Sequence, residues 1–308
     1  MQAEDSVKSI IDLVGNTPLI EIPHKKSKSV RILAKCEWMN PSGSVKDRAA
    51  SNIVQEALKN GRLVNKILID ATSGNTGLAF AMLAAYYKIP VELALPENAS
   101  TERKLLLKHY GVRIHYTSPL EGTDGAQRYV QQLVANNPDT YYYPDQYNNE
   151  NNWMAHFKGT GPEIWQQTAK TVTHFVCGLG TSGTFMGSSR YLKQHGVTCI
   201  SVQPDNPMHA LEGWKHMETA IVPGTYSPSV ANSNMTVSTE QAFSYAKAAF
   251  RHLGLSLSPS SAANLVAAMS VAENLDEGVV VTVFPDSAFK YLQDSFWNDD
   301  AYDIENPF

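Results

Sequence analysis

Residues 66–77 read Lys66-Ile67-Leu68-Ile69-Asp70-Ala71-Thr72-Ser73-Gly74-Asn75-Thr76-Gly77, and residues 78–87 follow almost without a polar side chain. The opening apolar run has the length of a buried strand, and the polar stretch with two glycines is a turn. Residues 78–87 are apolar on nearly every side, as in a buried helix. Buried strands that feed buried helices belong to parallel sheets covered by helices. The class is therefore α/β.

The same alternation continues outward in both directions. Toward the N-terminus, residues 7–13 read as a short amphipathic helix closed by Gly15-Asn16-Thr17-Pro18, and residues 19–22 and 30–37 as strands. Toward the C-terminus, strands are expected at 91–95, 112–116, 140–143, 174–177, 199–203 and 279–284. Helices are expected from a cap at Ser100 or Thr101 to Gly111, over 124–135, over 162–169 and beyond Thr184. Two more run from the capping box Ser238/Gln241 to Leu253 and over 260–273. Residues 204–229 have no clear period, and such long irregular stretches are more often functional than passive. The acidic tail 298–308 reads as frayed. A chain of 308 residues suits two such domains, 1–149 and 150–308, with mostly parallel sheets.

Composition excludes several functions. A net charge of -5 without a basic run argues against a nucleic-acid surface. No stretch reaches 18 consecutive apolar residues, so no membrane span is expected, and the acidic start lacks the apolar core of a secretory signal. Cys36, Cys177 and Cys199 are widely spaced, which suits buried thiols in a reducing cytoplasm. The nine histidines show no metal-binding spacing, so no metal is expected.

Three features carry chemistry. In Asn40-Pro41-Ser42-Gly43-Ser44-Val45-Lys46-Asp47-Arg48 a Pro/Gly loop precedes a helix whose apolar positions are Ala50, Ile53, Val54, Ala57 and Leu58. Lys46 stands where the helix macrodipole disfavours a cation. A lysine so placed sheds its proton readily, as a Schiff-base lysine must; a solvated lysine heading an amphipathic helix is the plain alternative. The loop 72–77 ends at a helix N-terminus and offers hydroxyls and an amide, a set suited to a carboxylate. The loop Gly178-Leu179-Gly180-Thr181-Ser182-Gly183-Thr184 also lies between strand and helix and suits a phosphate. Gly178, Gly180 and Gly183 match GxGxxG, with Asp205 near a ribose-binding position, so a dinucleotide is a second reading. A phosphate site, a carboxylate site and an activated lysine together describe pyridoxal phosphate with an amino-acid substrate.

The stretch 40–48 resembles the cofactor-lysine motif of the cysteine synthase (O-acetylserine sulfhydrylase) and cystathionine β-synthase family. Asn16-Thr17-Pro18-Leu19 is similar to its N-terminal signature, and TSGNTG at 72–77 to its substrate-carboxylate loop. Asp145-Gln146-Tyr147, residues 160–165 and Pro285-Asp286-Ser287 also look like family stretches, in family order. The resemblance implies a type II pyridoxal phosphate fold, with the cofactor in the cleft between two domains and a mobile segment at about 90–133. It implies β-replacement on an activated L-serine, with sulfide or another sulfur donor giving L-cysteine, through a Lys46 aldimine and α-aminoacrylate. Cystathionine β-synthase chemistry, diaminopropionate synthesis, serine/threonine dehydration and a catalytically weak, partner-binding paralogue are alternatives. A homodimer is implied as well.

Carried over by position, the resemblance makes Lys46 the catalytic base. Asn75 would bond the cofactor's 3′ oxygen, and Ser260 would face the pyridine nitrogen. The loop Gly178, Gly180, Thr181, Ser182, Gly183 and Thr184 would hold the phosphate, with Pro285 and Asp286 beside the cofactor. Thr72, Ser73, Gly74, Thr76 and Gln146 would hold the substrate carboxylate. Lys215 either faces the mouth and helps choose the leaving group or is a solvated loop lysine. Ser182 replaces a loop glycine, as in the cysteine synthase B branch; Pro259, Ala262 and Ala288-Phe289 are further departures. Cys177 reads as core packing, and Tyr141, Tyr142 and Tyr143 as a packed strand.

Overall fold

The computed structural model describes residues 9–25, 29–72 and 74–308. Its ten described strands form two sheets. The smaller has four parallel strands, β3 (Ile67–Ala71), β4 (Val91–Pro96), β5 (Arg113–Thr117) and β6 (Tyr141–Tyr142), in the order β5-β4-β3-β6. The larger holds β1 (Leu19–Ile22), β2 (Val30–Cys36), β7 (His174–Gly178), β8 (Thr198–Pro204), β9 (Ser233–Val237) and β10 (Gly278–Phe284). Its order is β1-β2-β10-β7-β8-β9, parallel apart from β1 against β2. The larger sheet thus draws on both ends of the chain, and a cut at residue 150 does not separate the two sheets.

Each sheet is covered on both faces because successive strand residues point to opposite sides. In β2, Ile32 packs in the core under α8 (Thr239–Leu253) and α9 (Pro259–Glu273), while Leu33 joins α6 (Gly161–Gln167) and α7 (Gly183–Leu192). In β3, Leu68 faces α1 (Lys46–Lys59) and α2 (Asn75–Tyr87), while Ile69 faces α4 (Gly122–Asn136). Between β4 and β5 runs α3 (Thr101–His109), capped by the Ser100 side chain. In α1, Ala50, Ile53, Val54 and Ala57 are buried as expected, whereas Leu58 is 37% exposed at the edge of the stripe.

Four expectations change. Helix begins at Glu150, not Pro162: α5 (Glu150–Ala155), a π turn (His156–Thr160) and α6 run on without a break. Asn151, Asn152 and Gly159 hide this helix from propensity; tertiary packing holds it, with Gly187 of α7 admitting the Trp153 carbonyl where a Cβ would lie 2.0 Å away. Strand β9 went unread because it is an edge strand, mostly open to solvent and polar. At the N-terminus the described part of the first helix is a 3-10 turn, Ile10–Leu13. Finally, the tail is docked: Asp303 pairs with Lys247 at 2.5 Å and Arg251 at 2.7 Å, and Phe308 packs edge-on against Tyr245.

Candidate active site

Lys46 is the first residue of α1. The loop before it is fastened on both sides: Asn40 accepts from Gly15 N–H at 2.8 Å, and Val45 N–H donates to Pro285 O at 2.8 Å. Gly43 takes φ +83°, a conformation that other residues adopt only with strain. Asp47 accepts from the N–H of Ser42 at 2.6 Å and from its hydroxyl, yet burial still pushes its carboxyl up to about 6. Lys46 is half-buried and borders a cavity walled by elements of both sheets. Burial lowers the pKa of its ammonium, against the opposing pull of the Asp286 carboxylate. A lysine in that state gives up its proton more readily than a solvated one.

Facing it is the turn that starts α2. Thr72, Gly74, Asn75 and Thr76 line the cavity, and the Thr76 hydroxyl donates to Gln146 Oε1 at 2.9 Å, which brings Gln146 into the same wall. Ser73 lies outside the described residues. Asn75 donates from Nδ2 to Asp286 Oδ2 at 2.8 Å.

The third wall is the glycine loop at the start of α7. A Cβ on Gly180 would stand 2.0 Å from Gly213 O, and one on Gly183 1.9 Å from Asn152 Oδ1. Only bare backbone fits at these two positions, and residues 180–184 line the cavity at the N-terminus of α7, an arrangement suited to an anion. Ser182 occupies the left-handed region at φ 65°, and its buried hydroxyl has no hydrogen-bond partner among the described residues. A buried orphan hydroxyl and a helix N-terminus at the cavity wall, in the same cavity as a half-buried lysine, fit pyridoxal phosphate: the loop would take its phosphate and Lys46 its aldehyde carbon.

The cavity wall also includes Gly178, Thr181, Thr184, Ser260, Pro285 and Asp286. Pro259 is simply the first residue of α9, where proline suits a helix. Ala262 is buried in the core rather than crowding the cavity. Cys177 is buried but borders the cavity, and burial pushes its thiol up to about 12, so it stays protonated. Lys215 is not in the wall; its ammonium sits 4.9 Å from the ring centre of Tyr147, which is. Asp205 is exposed and outside the wall, which removes the acid that a dinucleotide would require.

Several wall supports escaped the sequence reading. Asn264 accepts from Gly178 N–H and donates to Val283 O, tying loop, helix and strand together. A lone amide in the apolar run of α9 was the available signal. Asn152 donates to Thr181 Oγ1 at 3.1 Å, and the His156 ring meets Thr184 Oγ1 at 3.3 Å; both come from the unread helix. Lys290 and Tyr291 follow β10 and carry no spacing that marks them.

The family model for the pyridoxal-phosphate dependent enzymes matches residues 10–286. The chain belongs to that family. The cysteine synthase of Aquifex aeolicus is 46% identical over 303 residues, covering 95% of this chain and 93% of that protein. Cysteine synthase B of Escherichia coli is 33% identical over 293 residues, covering 94% and 96%. The crystal structure of cysteine synthase from Entamoeba histolytica superposes with a TM-score of 0.91 at 30% identity, covering 97% of this chain and 93% of that one. This pyridoxal phosphate enzyme thus has the type II fold expected of it.

Proposed function

We propose that the enzyme is a cysteine synthase, replacing the β-substituent of an activated L-serine with sulfide or a sulfur donor. The observation that carries this is the meeting of Lys46, the carboxylate turn and the anion loop in one cavity. Bound pyridoxal phosphate supplies the electron sink that acidifies the substrate α-proton and lets the β-substituent leave. Residues of this chain do the rest. Lys46 Nζ takes the α-proton and later returns it, a task its lowered pKa suits. The N–H groups of residues 180–184 and the Ser182 hydroxyl bind phosphate. Thr72, Thr76 and Gln146 bind the substrate carboxylate, which fixes the α-carbon over Lys46. Ser260, which lines the cavity, would offer the pyridine nitrogen a neutral hydroxyl, and a neutral partner there would favour β-elimination over transamination.

In this reading the segment 90–133, which carries α3 and most of α4, closes over the substrate and excludes water. Residues before 150 supply the carboxylate turn and those after it the anion loop, with β1 and β2 built into the later sheet. A reducing cytoplasm is supported by the three free thiols, Cys36, Cys177 and Cys199. The homodimer rests on the family resemblance. Lys215, whose ammonium lies over the ring of the wall residue Tyr147, is the cation assigned in this reading to the choice of leaving group.

The deciding experiment is a visible absorption spectrum of the purified enzyme before and after O-acetylserine. The expected result is a cofactor band that shifts on addition, and its loss together with cysteine formation in Lys46→Ala, at an unchanged far-ultraviolet circular dichroism spectrum. A band that answers only to O-phosphoserine would reassign the substrate. Undiminished cysteine formation by Lys46→Ala would remove the mechanism.

A further inference from the structure

The reaction leaves without a role a lysine from the stretch after β10. Lys290 closes the 3-10 turn Ala288–Lys290 and is half-buried. Its ammonium donates to Asn75 Oδ1 at 2.7 Å, to Gly43 O at 3.1 Å and to Ser42 O at 3.2 Å. An ammonium has three protons and no acceptor, so those three bonds use its full capacity. Two of the acceptors belong to the loop that carries Lys46, and the third to the turn opposite. Asp286 and Asp47 supply the nearby negative charge that offsets the cost of burying the cation.

The consequence falls on Asn75. Lys290 can only donate, so the amide atom facing it must be the oxygen. On the other side the Asp286 carboxylate accepts from Nδ2 at 2.8 Å, and the Tyr291 hydroxyl donates to the same Oδ2 at 2.7 Å. The amide is therefore held in one orientation, with one Nδ2 proton in use and the other left for the cavity that Asn75 lines. Reversed, it would turn a carbonyl lone pair toward the ring oxygen of the cofactor, where two acceptors repel.

We propose that Lys290 is a positioning residue for the cofactor: it sets the Asn75 amide so that an N–H, not a carbonyl, meets the ring oxygen. This rests on the pyridoxal phosphate reading above. A purely structural Lys290 would instead serve only to fasten the Ser42–Gly43 carbonyls.

A double-mutant cycle on cofactor affinity separates the two, with pyridoxal phosphate titrated into resolved apoenzyme and followed by its visible band. Lys290→Met should weaken binding about tenfold and shift the band, the effect of losing one bond to a charged group. Lys290→Arg keeps the donors and should stay within about threefold. In the Asn75→Ala background Lys290→Met should cost nothing further, since it acts through that amide. An equal loss in both backgrounds, or no loss in the first, overturns the proposal. If the Met variant fails to fold, the Arg variant decides: a loss as large as that of Asn75→Ala overturns it. A wild-type protein that binds no pyridoxal phosphate overturns the cofactor reading itself and this inference with it.

Discussion

Ser182 joins two opposing effects in one side chain. Its φ of 65° costs about 1 kcal/mol for a residue with a Cβ, a cost glycine avoids. Glycine, however, brings an entropic penalty of about 0.5–1 kcal/mol of its own. For Ser182→Gly these terms nearly cancel, so the thermal midpoint of the apoenzyme should stay within a degree or two. Cofactor affinity should fall by about five- to tenfold with the loss of a hydroxyl bond to an anion. Calorimetry and a cofactor titration check both halves; unchanged affinity would show that the hydroxyl does not reach the phosphate. Gly178 has no such latitude, since a Cβ there would lie 2.1 Å from the Trp214 ring.

At the scale of an element, the helix from Glu150 to Gln167 does more than join two halves. Its π turn starts at His156, and π turns are frequent at functional sites because the extra residue re-aims side chains. Here the His156 ring reaches Thr160 Oγ1 at 2.8 Å on one side and Thr184 of the anion loop on the other. Two hydroxyls suit a neutral imidazole, which donates with one nitrogen and accepts with the other. Burial first, and then the Arg48 cation, push its pKa down to about 3. The unfolded chain protonates this histidine below about 6.5, and the folded chain does not. Its stabilising contribution is therefore complete above about 6.5 and is lost as pH falls toward 3, by up to about 1.4 kcal/mol per pH unit. Between pH 7 and pH 5 the thermal midpoint of the wild type should fall more than that of His156→Gln. Parallel falls would mean that the ring titrates alike in both states. Asp47, whose raised pKa works in the opposite direction, is common to both proteins and drops out of the comparison.

Across the whole molecule, two charge systems join pieces far apart in the chain. Two residues beyond Lys46, Arg48 bonds Glu37 after β2 at 2.6 Å and Glu163 of α6 at 2.7 Å, and Lys35 reaches Glu163 at 2.7 Å. Two cations meet two carboxylates, all but Glu163 nearly inaccessible, so the set fixes where α1 begins more than it adds stability. The second system lies at the rim, where Arg103 of α3 forms a two-point ion pair with Glu212 of the long irregular stretch, beside Gly74. It spans from the segment proposed to close to the side that carries the anion loop. With the Glu212 side chain 44% exposed, the pair is worth about 1 kcal/mol at most. Glu212→Gln should raise the KM for the amino-acid substrate about fivefold with kcat within twofold, and high salt should narrow the gap. Steady-state kinetics at two ionic strengths decide the matter, and an unchanged KM would show that the pair does not hold the segment closed.

The sequence by itself determined the α/β class, nearly every buried strand and helix, and the three stretches that meet at one cavity. Each of those is written in local chemistry: apolar runs, capping side chains, and turns whose hydroxyls and glycines stand beside one another in the chain. What only the tertiary structure decided is contact between stretches far apart. It placed β1 and β2 in the later sheet, docked the acidic tail through Asp303, and raised a helix from the poor formers at 150–160 by packing them against α1 and α7. It also brought Lys290 to Asn75, 215 residues away in the chain. A hydrogen bond depends on distance in space, and no local pattern of side chains records which remote amide a half-buried ammonium will meet.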